Sequence, residues 1–225
     1  MTASIILFPG TNCERDTARA FERAGAKCLI VRHDETDLPQ KTDLVVIAGG
    51  FSYGDYLRCG AIARFAPIMK SVASFAKGGG RILGICNGFQ ILLEAFLLPG
   101  AMLRNESRRF ISRYVHLKVS SANNPFLSKF KESQIVSMPI AHAEGAYYID
   151  PDGLKALYDD DQVALTYCDK EGKSLNINGS IDNIAAISNK DKNVFALMPH
   201  PERAANPLLS ESADGLTLIK SVLEF

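Results

Sequence analysis

The sequence predicts an α/β protein in which helices cover both faces of a doubly wound, mostly parallel sheet. Short apolar runs at 4–8, 27–31, 44–48 and 82–85 alternate with amphipathic segments. Such alternation of strand and helix patterns is typical of parallel sheets covered on both sides. The chain has 225 residues, of which 47% are hydrophobic, and this is enough to build a packed core.

Helical periodicity separates these apolar runs. Segments 12–24, 61–76 and 87–97 carry apolar residues spaced by three and four, as in helices that pack against a sheet. Gly25 follows the first segment, which is typical of a helix C-terminus. A further helix is expected to begin near Ala213 and to close the chain.

After about residue 102 the pattern changes to strands separated by polar turns. The predicted strands are 110–119, 134–141, 163–167, 184–187 and 194–197. We expect some of them to extend the main sheet and others to form an antiparallel appendage. Because no repeat or long linker divides the chain, we predict a single domain over residues 1–225.

Composition argues against several classes of function. Lys plus Arg and Asp plus Glu both total 25, so bulk charge favours neither nucleic acid nor an anionic membrane. The long weakly charged stretch 82–103 contains polar residues and a proline, which argues against a membrane span. The five cysteines are scattered without a Cys-x-x-Cys pair, so neither a disulfide framework nor a structural metal site is expected. A reducing cytoplasm is the expected location.

The first candidate for chemistry is Cys86, which stands between a predicted strand and a predicted helix. Gly84 and Gly88 flank it in the spacing G-x-S-x-G, with cysteine in the place of the nucleophile. A helix N-terminus favours a thiolate, and the Asn87 N–H would be placed to stabilise an oxyanion. The alternative is an ordinary buried cysteine at a tight turn.

A nucleophilic cysteine needs a base and a group that orients the base. His200 follows the strand pattern 194–197, so it is expected at the same sheet edge as Cys86, and Glu202 is near enough in sequence to hold its imidazole. The alternative is a rigid surface loop with a salt bridge. His142 competes for the role of base, because Glu144 has the same spacing from it.

A glycine-rich segment, 48–60, follows a third predicted strand. Its paired glycines Gly49 and Gly50 allow backbone N–H groups to turn towards an anion. A phosphate-binding loop is the alternative interpretation, but neither of the usual nucleotide-binding glycine patterns is present. Three strand ends therefore bring a cysteine, a histidine–glutamate pair and a glycine nest to one edge of the sheet.

These segments resemble the class I glutamine amidotransferases. The strongest similarity lies in residues 49–58, 84–92 and 199–203. More narrowly, the chain is similar to the glutaminase subunits of phosphoribosylformylglycinamidine synthase. That similarity extends to segments 8–16, 97–102, 176–180 and 212–216.

The resemblance implies a flavodoxin-like fold and a role for each matching residue. Cys86 would be the nucleophile, His200 the general acid and base, and Glu202 the group that orients His200. The oxyanion hole would come from Gly50 and Asn87, and the substrate contacts from Gly49, Phe51 and Gln90. No metal is implied. The chain departs from the family pattern at Ala48, where proline is usual, and at Ala143, where glycine is usual.

The resemblance also implies a partner. The chain would hydrolyse glutamine and deliver ammonia to a synthetase subunit, which converts formylglycinamide ribonucleotide to formylglycinamidine ribonucleotide in de novo purine biosynthesis. ATP and Mg²⁺ are expected in that subunit and no cofactor in this chain, with a small accessory subunit as a further partner. The alternatives are a stand-alone cysteine γ-glutamyl hydrolase, a catalytically dead regulatory module and a flavodoxin-like electron carrier.

Overall fold

The computed structural model describes residues 1–224 as a nine-stranded sheet with flanking helices and a separate two-stranded sheet. The strands are β1 (Thr2–Leu7), β2 (Lys27–Arg32), β3 (Leu44–Ile47), β4 (Arg81–Ile85), β5 (Ala101–Leu103), β6 (Ile111–Val119), β7 (Ile135–His142), β8 (Ala146–Tyr148), β9 (Val163–Cys168), β10 (Ile184–Ser188) and β11 (Val194–Leu197). The helices are α1 (Glu14–Arg23), α2 (Ile68–Lys77), α3 (Asn87–Glu94), α4 (Pro151–Asp159) and α5 (Asp214–Glu224). Over residues 1–224, no helix has the length and apolar character needed to cross a membrane.

The main sheet has the strand order β2-β1-β3-β4-β11-β10-β9-β6-β7. From β2 to β11 every neighbouring pair is parallel, and from β11 to β7 every pair is antiparallel. Only β10 and β6 therefore run against the other strands of this sheet within the described residues. The predicted α/β class with a mostly parallel sheet is confirmed.

The crossover connections place helices on both faces. The β1–α1–β2 connection moves along the sheet in one direction and the β3–α2–β4 connection in the other. Because such connections are right-handed, α1 and α2 cover opposite faces. The central strand β3 is buried along its whole length, as expected for a strand covered on both sides. The direction changes between β1 and β3, and ligands bind beyond the carboxyl ends of the strands at such a switch point.

Two predicted helices are shorter than expected. The helix predicted over 61–76 is wrong in its first half: Ala63–Phe65 forms one 3₁₀ turn, and α2 begins only at Ile68. Pro67 explains the break, because the residue before a proline avoids the helical region, and Ala66 is extended, with ψ 141°. The helix predicted over 87–97 ends at Glu94.

The second half of the chain differs from the expectation in a different way. All five predicted strands join the main sheet, so the expectation that some of them form the appendage is wrong. The antiparallel appendage exists, but it consists of β5 and β8, which sequence analysis missed together with α4. Strands of three residues are too short to show an alternating pattern of apolar residues. The helix α4 buries only Leu157, so it shows no apolar face with helical spacing.

The antiparallel half of the sheet curls back towards the carboxyl ends of the parallel strands. The edge strand β7 lies at the end of the strand order, yet the His200 N–H donates to its Pro139 carbonyl at 2.8 Å. Accumulated strand twist allows such closure. Phe126 and Phe195 stack inside the protein, with ring centroids 5.1 Å apart. Through this curl β7 brings His142, at its own carboxyl end, to the predicted site.

Candidate active site

Cys86 occupies a strained turn between β4 and α3. Its backbone has φ 51° and ψ −104°, which is unusual for a residue with a side chain and costs about 1–3 kcal/mol. The Cys86 N–H donates to the carbonyl of Leu197 at 2.8 Å, which holds the turn against β11. The side chain is buried, and its nearest backbone acceptor is the carbonyl of Ala141, 3.8 Å from Sγ. Strain of this kind persists where the surroundings enforce it, and it is common at functional sites.

The flanking glycines allow α3 to lie directly on the sheet. A Cβ added to Gly88 would lie 2.0 Å from the carbonyl oxygen of Ile47 on β3. A Cβ added to Gly84 would lie 3.0 Å from the backbone of Gly88 and 2.6 Å from Leu92. The turn therefore requires glycine at both positions, as the spacing around Cys86 predicts.

His200 and Glu202 form a buried pair beyond the end of β11. His200 Nδ1 lies 2.6 Å from Glu202 Oε1, and both side chains are excluded from solvent. Burial disfavours the charged imidazolium, but the negative charges of Glu202 and Cys86 outweigh it and raise the pKa of His200 well above its ordinary value. Nδ1 is thus committed to the carboxylate, and Nε2 is the atom available for proton transfer.

Gly49 lies where the cysteine and the histidine meet. A Cβ on Gly49 would lie 2.8 Å from His200 Cε1 and 3.5 Å from Cys86 Cβ. The predicted nucleophile and the predicted base are therefore brought together around a residue without a side chain.

The neighbouring Gly50 belongs to a tight backbone nest. It has φ 149°, and a Cβ there would approach the backbone of residues 10–12 to within 2.7–2.9 Å. Both neighbours of Gly50 are hydrogen-bonded to the segment after β1. The Gly49 carbonyl accepts from the Cys13 N–H at 3.2 Å, and the Phe51 N–H donates to the Gly10 carbonyl at 2.9 Å. These bonds join the ends of β1 and β3, so the predicted nest lies at the switch point beside Cys86.

A chain of amide hydrogen bonds supports one side of the site. Asn87 Oδ1 accepts from the Ser52 N–H at 3.0 Å, and its Nδ2 donates to Gln90 Oε1 at 2.8 Å. Gln90 Nε2 in turn donates to the Glu144 carbonyl at 2.6 Å. These contacts fix both amides in α3 and link them to the loop after β7. The Asn87 N–H is the first of its helix, where intrahelical acceptors are absent.

Two cavities open on Cys86. The smaller one, of about 90 Å³, is bounded by Gln90 and Glu144 and also by Gly50, Phe51, Asp55, Cys59, Cys86, Ala141, His142 and Ala143. The larger one, of about 200 Å³, is lined by Asn12, Cys13, Gly50, Phe51, Cys86, Phe110, Ser112, Ala141, His200 and Arg203. The predicted substrate residues Phe51 and Gln90 therefore both face cavities beside the nucleophile. Gly49 lies between the reacting side chains instead.

His142 reaches the site but lacks an acidic partner. Its Nδ1 lies 3.0 Å from Asn105 Oδ1, and burial together with the charge of His200 lowers its pKa to about 4. Glu144, which the sequence pairs with it, instead lies 3.5 Å from Arg104 Nε. His142 is therefore neutral near pH 7 without a carboxylate to orient it. Of the two candidate bases, the geometry favours His200.

Cys13 is a residue of the site that sequence reasoning did not single out. One ligand atom each from Cys13, His200 and Glu202 lie within 4.8 Å of one another. Cys13 Sγ accepts a hydrogen bond from Arg203 Nη2 and donates one to Asn12 Oδ1, each at 3.2 Å. The signal was available, because Cys13 follows β1 and the carboxyl ends of parallel strands share one edge.

Comparison with known proteins identifies the family. The CobB/CobQ-like glutamine amidotransferase domain matches residues 1–216. The chain belongs to the glutamine amidotransferase family. The match covers all the predicted catalytic, oxyanion and substrate-contact residues of this amidotransferase, and the family assignment made from its motifs is confirmed.

Relatives of this amidotransferase at high identity carry a more specific name. The phosphoribosylformylglycinamidine synthase subunit PurQ of Sulfurimonas denitrificans is 55% identical over 223 residues, covering 99% of both chains. The subunit of the same name from Wolinella succinogenes is 54% identical over 222 residues, again covering 99% of both. The predicted resemblance to the glutaminase subunits of this synthase is confirmed.

Solved structures show the same amidotransferase fold. A chain in the structure of PurLQS from Thermotoga maritima superposes with a TM-score of 0.88 at 40% identity, covering 99% of this chain and 97% of that one. A glutamine amidotransferase from the same organism superposes with a TM-score of 0.63 at 17% identity, covering 100% and 96% of the two chains. At that low identity the likeness concerns the fold alone.

Proposed function

We propose that this chain hydrolyses the side-chain amide of glutamine and supplies the ammonia to a separate synthetase subunit. The observation that carries the proposal is the meeting of Cys86, on its strained turn, with the His200–Glu202 pair. A nucleophile, a base and an orienting carboxylate in this order suit covalent catalysis on an amide carbonyl.

The reaction follows from the protonation of these groups. The raised pKa of His200 favours an imidazolium in the resting enzyme. The nucleophile in this reaction is the thiolate form of Cys86. The thiolate attacks the glutamine carbonyl, and His200 gives its proton to the departing ammonia. Water then hydrolyses the γ-glutamyl thioester with His200 as the base. Glu202 holds the ring through Nδ1 throughout and stabilises the imidazolium whenever it forms.

We assign the oxyanion hole to the N–H groups of Gly50 and Asn87. Both belong to backbone that is held in place, Gly50 by the nest and Asn87 by the first turn of α3. Preorganised donors are worth more than mobile ones because no reorganisation is needed as charge develops.

We assign glutamine to the smaller cavity. Gln90 lines it beside Asp55 and Glu144, and carboxyl groups suit the α-ammonium group of an amino acid. Gly49 leaves room for the reacting amide, and Phe51, about half exposed, borders the entrance.

The relatives support the choice of partner. They are named as subunits of phosphoribosylformylglycinamidine synthase, and the Thermotoga maritima structure is named PurLQS. We therefore propose that the partners are a PurL-type synthetase and the small PurS-type subunit. ATP and Mg²⁺ would act in the synthetase, and this chain would need no cofactor of its own. A reducing cytoplasm fits the free cysteines described in residues 1–224.

The test uses the complex reconstituted with its synthetase and small subunit. Cys86→Ser is expected to lower glutamine-dependent synthesis by more than about a thousandfold while ammonia-dependent synthesis continues. Cys28→Ser, the same change on the distant strand β2, should retain both activities. Retention of glutamine-dependent synthesis in Cys86→Ser, or loss of both activities, would contradict the assignment.

Labelling identifies the nucleophile directly. A glutamine analogue that carries a chloroketone should modify Cys86, as located by mass spectrometry of the digested chain. Modification of Cys13 instead would transfer the role of nucleophile to that residue.

A further inference from the structure

An exposed aromatic patch lies between the start of α2 and the end of α3, outside the active site. Phe65, which precedes α2, and Phe96, which follows α3, are 73% and 82% exposed. The Arg64 guanidinium stacks on both rings, with its Cζ atom 4.4 Å from the centroid of Phe65 and 5.4 Å from the centroid of Phe96. The two rings therefore form one patch around a single cation.

A groove of about 310 Å³ runs beside the two rings. Its other lining residues are Arg64, Met69, Lys70, Ala73, Glu94 and Ala95. Exposed apolar patches mark sites of interaction, and aromatic and arginine side chains supply much of the binding energy at protein interfaces. The groove therefore has the composition of an interface and has room for side chains of another protein.

The patch continues towards the active site through the loop 53–59. Leu57 is 89% exposed and has φ 70°, which is strained for a residue with a bulky side chain. The next residue, Arg58, donates two hydrogen bonds to the Glu94 carboxylate, at 2.5 and 2.7 Å, and this fixes the loop on the end of α3. Since Glu94 also borders the groove, Leu57 belongs to the same surface. We call the α2–α3 surface the set Leu57, Arg58, Arg64, Phe65, Lys70, Glu94 and Phe96.

The position of the α2–α3 surface favours the synthetase as its partner. Asp55 and Cys59, which lie on either side of Leu57 in the loop, line the cavity that we assign to glutamine. Ammonia released beside Cys86 has the shortest path to a subunit that is seated next to the active site. A surface that shares a loop with the glutamine cavity meets this requirement.

The charges of the surface indicate what the partner presents to it. Arg58 and Glu94 neutralise each other, but Arg64 and Lys70 form no ion pair with a carboxylate of residues 1–224. Arg64 Nη1 donates instead to the Glu94 carbonyl at 3.1 Å. Complementary charges steer association and fix the register of an interface. The matching surface therefore combines an apolar side chain for the groove with at least one carboxylate.

We propose that the α2–α3 surface is the docking site for the synthetase subunit, which places an apolar side chain in the groove and a carboxylate against Arg64 and Lys70. The choice of partner rests on the proposed function. The rings are already held by Arg64, so little side-chain ordering opposes binding.

Binding of the full-length chain to the purified synthetase and small subunit, measured by analytical ultracentrifugation, tests the site. Phe65→Asp and Phe96→Asp should each raise the Kd at least about tenfold, because each removes an aromatic contact and repels the partner's carboxylate. Leu208→Asp is the matched control, since this leucine is 92% exposed in the segment before α5, and its Kd should be unchanged. Circular dichroism confirms that each variant is folded.

The salt dependence of the Kd tests the charges separately. Arg64→Gln and Lys70→Gln should each weaken binding and make it less sensitive to added NaCl. Lys27→Gln, the same loss of charge at an exposed position on β2, should change neither property.

Unchanged affinity in both phenylalanine variants would overturn the docking site, and so would equal weakening in Leu208→Asp. Dimers of the isolated chain that Phe96→Asp dissociates, with binding to the synthetase unaffected, would assign the surface to a second copy instead. If Phe96→Asp dissociates the complex but Cys86→Ser still uses glutamine, the proposed function fails and the docking site stands.

Discussion

At the scale of single residues, the two buried histidines of the site show how neighbours decide protonation. His200 faces the carboxylate of Glu202, which raises its pKa despite burial. His142 is buried against the amide of Asn105 and the positive charge of His200, so its pKa falls to about 4. The same side chain is therefore a charged acid at one position and a neutral structural group at the other.

This difference predicts a pH effect on stability. Since the pKa of His142 is lowered from 6.5 to about 4 on folding, the unfolded chain takes up the proton first as the pH falls through that window. The contribution of neutral, buried His142 to the free energy of unfolding is fully present above pH 6.5. It is lost by about pH 4 and amounts to roughly 3 kcal/mol. His142→Gln should therefore lose about 3 kcal/mol less unfolding free energy than the native chain between pH 7 and pH 4.

Urea unfolding at the two pH values measures this difference, and His116→Gln, at a half-buried position on β6, serves as the control. Parallel pH profiles for His142→Gln and the native chain would show that His142 is not buried in the neutral form.

At the scale of elements, the strand–turn–helix unit around Cys86 was predictable because its requirements are local. The glycines at 84 and 88 are needed by the turn itself, and the apolar run before Cys86 has the length of a buried strand. The helix predicted over 61–76 failed for an equally local reason, since Pro67 stops helix formation at the residue before it. The spacing of apolar residues alone does not reveal that break, because it continues across Pro67.

Gly88 provides the test at this scale. Gly88→Ala places a methyl group 2.0 Å from the Ile47 carbonyl oxygen, so α3 must move away from β3. We expect a loss of about 3 kcal/mol or more in unfolding free energy and a fall in glutamine-dependent synthesis.

Gly78→Ala is the matched control. That glycine has φ −77°, and its added Cβ would meet nothing closer than 3.5 Å, so the change should stay within about 0.5 kcal/mol. Equal urea midpoints for the two variants would show that α3 does not depend on close contact at Gly88.

At the scale of the whole molecule, the curl of the sheet brings β7 to the site. Because β7 is the last strand of the sheet, no strand within residues 1–224 pairs with its outer edge. The outer edge of β7 is covered by Ser212 and by Asp214, the first residue of α5. Asp214 accepts from the Ser137 N–H at 2.7 Å, and the Ser212 hydroxyl donates to the Ser137 carbonyl at 2.6 Å. An uncovered edge would pair with other chains. The C-terminal segment therefore protects the strand that carries His142.

Removal of this cover should have two effects. Asp214→Ala leaves the Ser137 N–H without its acceptor, and we expect a loss of about 1–3 kcal/mol in unfolding free energy together with more self-association. Urea unfolding and light scattering during slow heating measure the two effects. Asp191→Ala, at an exposed turn, should change neither. Normal stability and scattering in Asp214→Ala would contradict the protective role.

The sequence by itself determined the fold class and the strands of the parallel half, and it singled out Cys86, His200 and Glu202, which we propose as the triad. Short-range periodicity, turn glycines and the rule that parallel strands end at one edge are sufficient for these. Only the tertiary structure decided that β7 returns to the site, that His142 is neutral and that Cys13 lies beside His200. These features depend on burial and on contacts between segments far apart in the chain, which no local pattern contains.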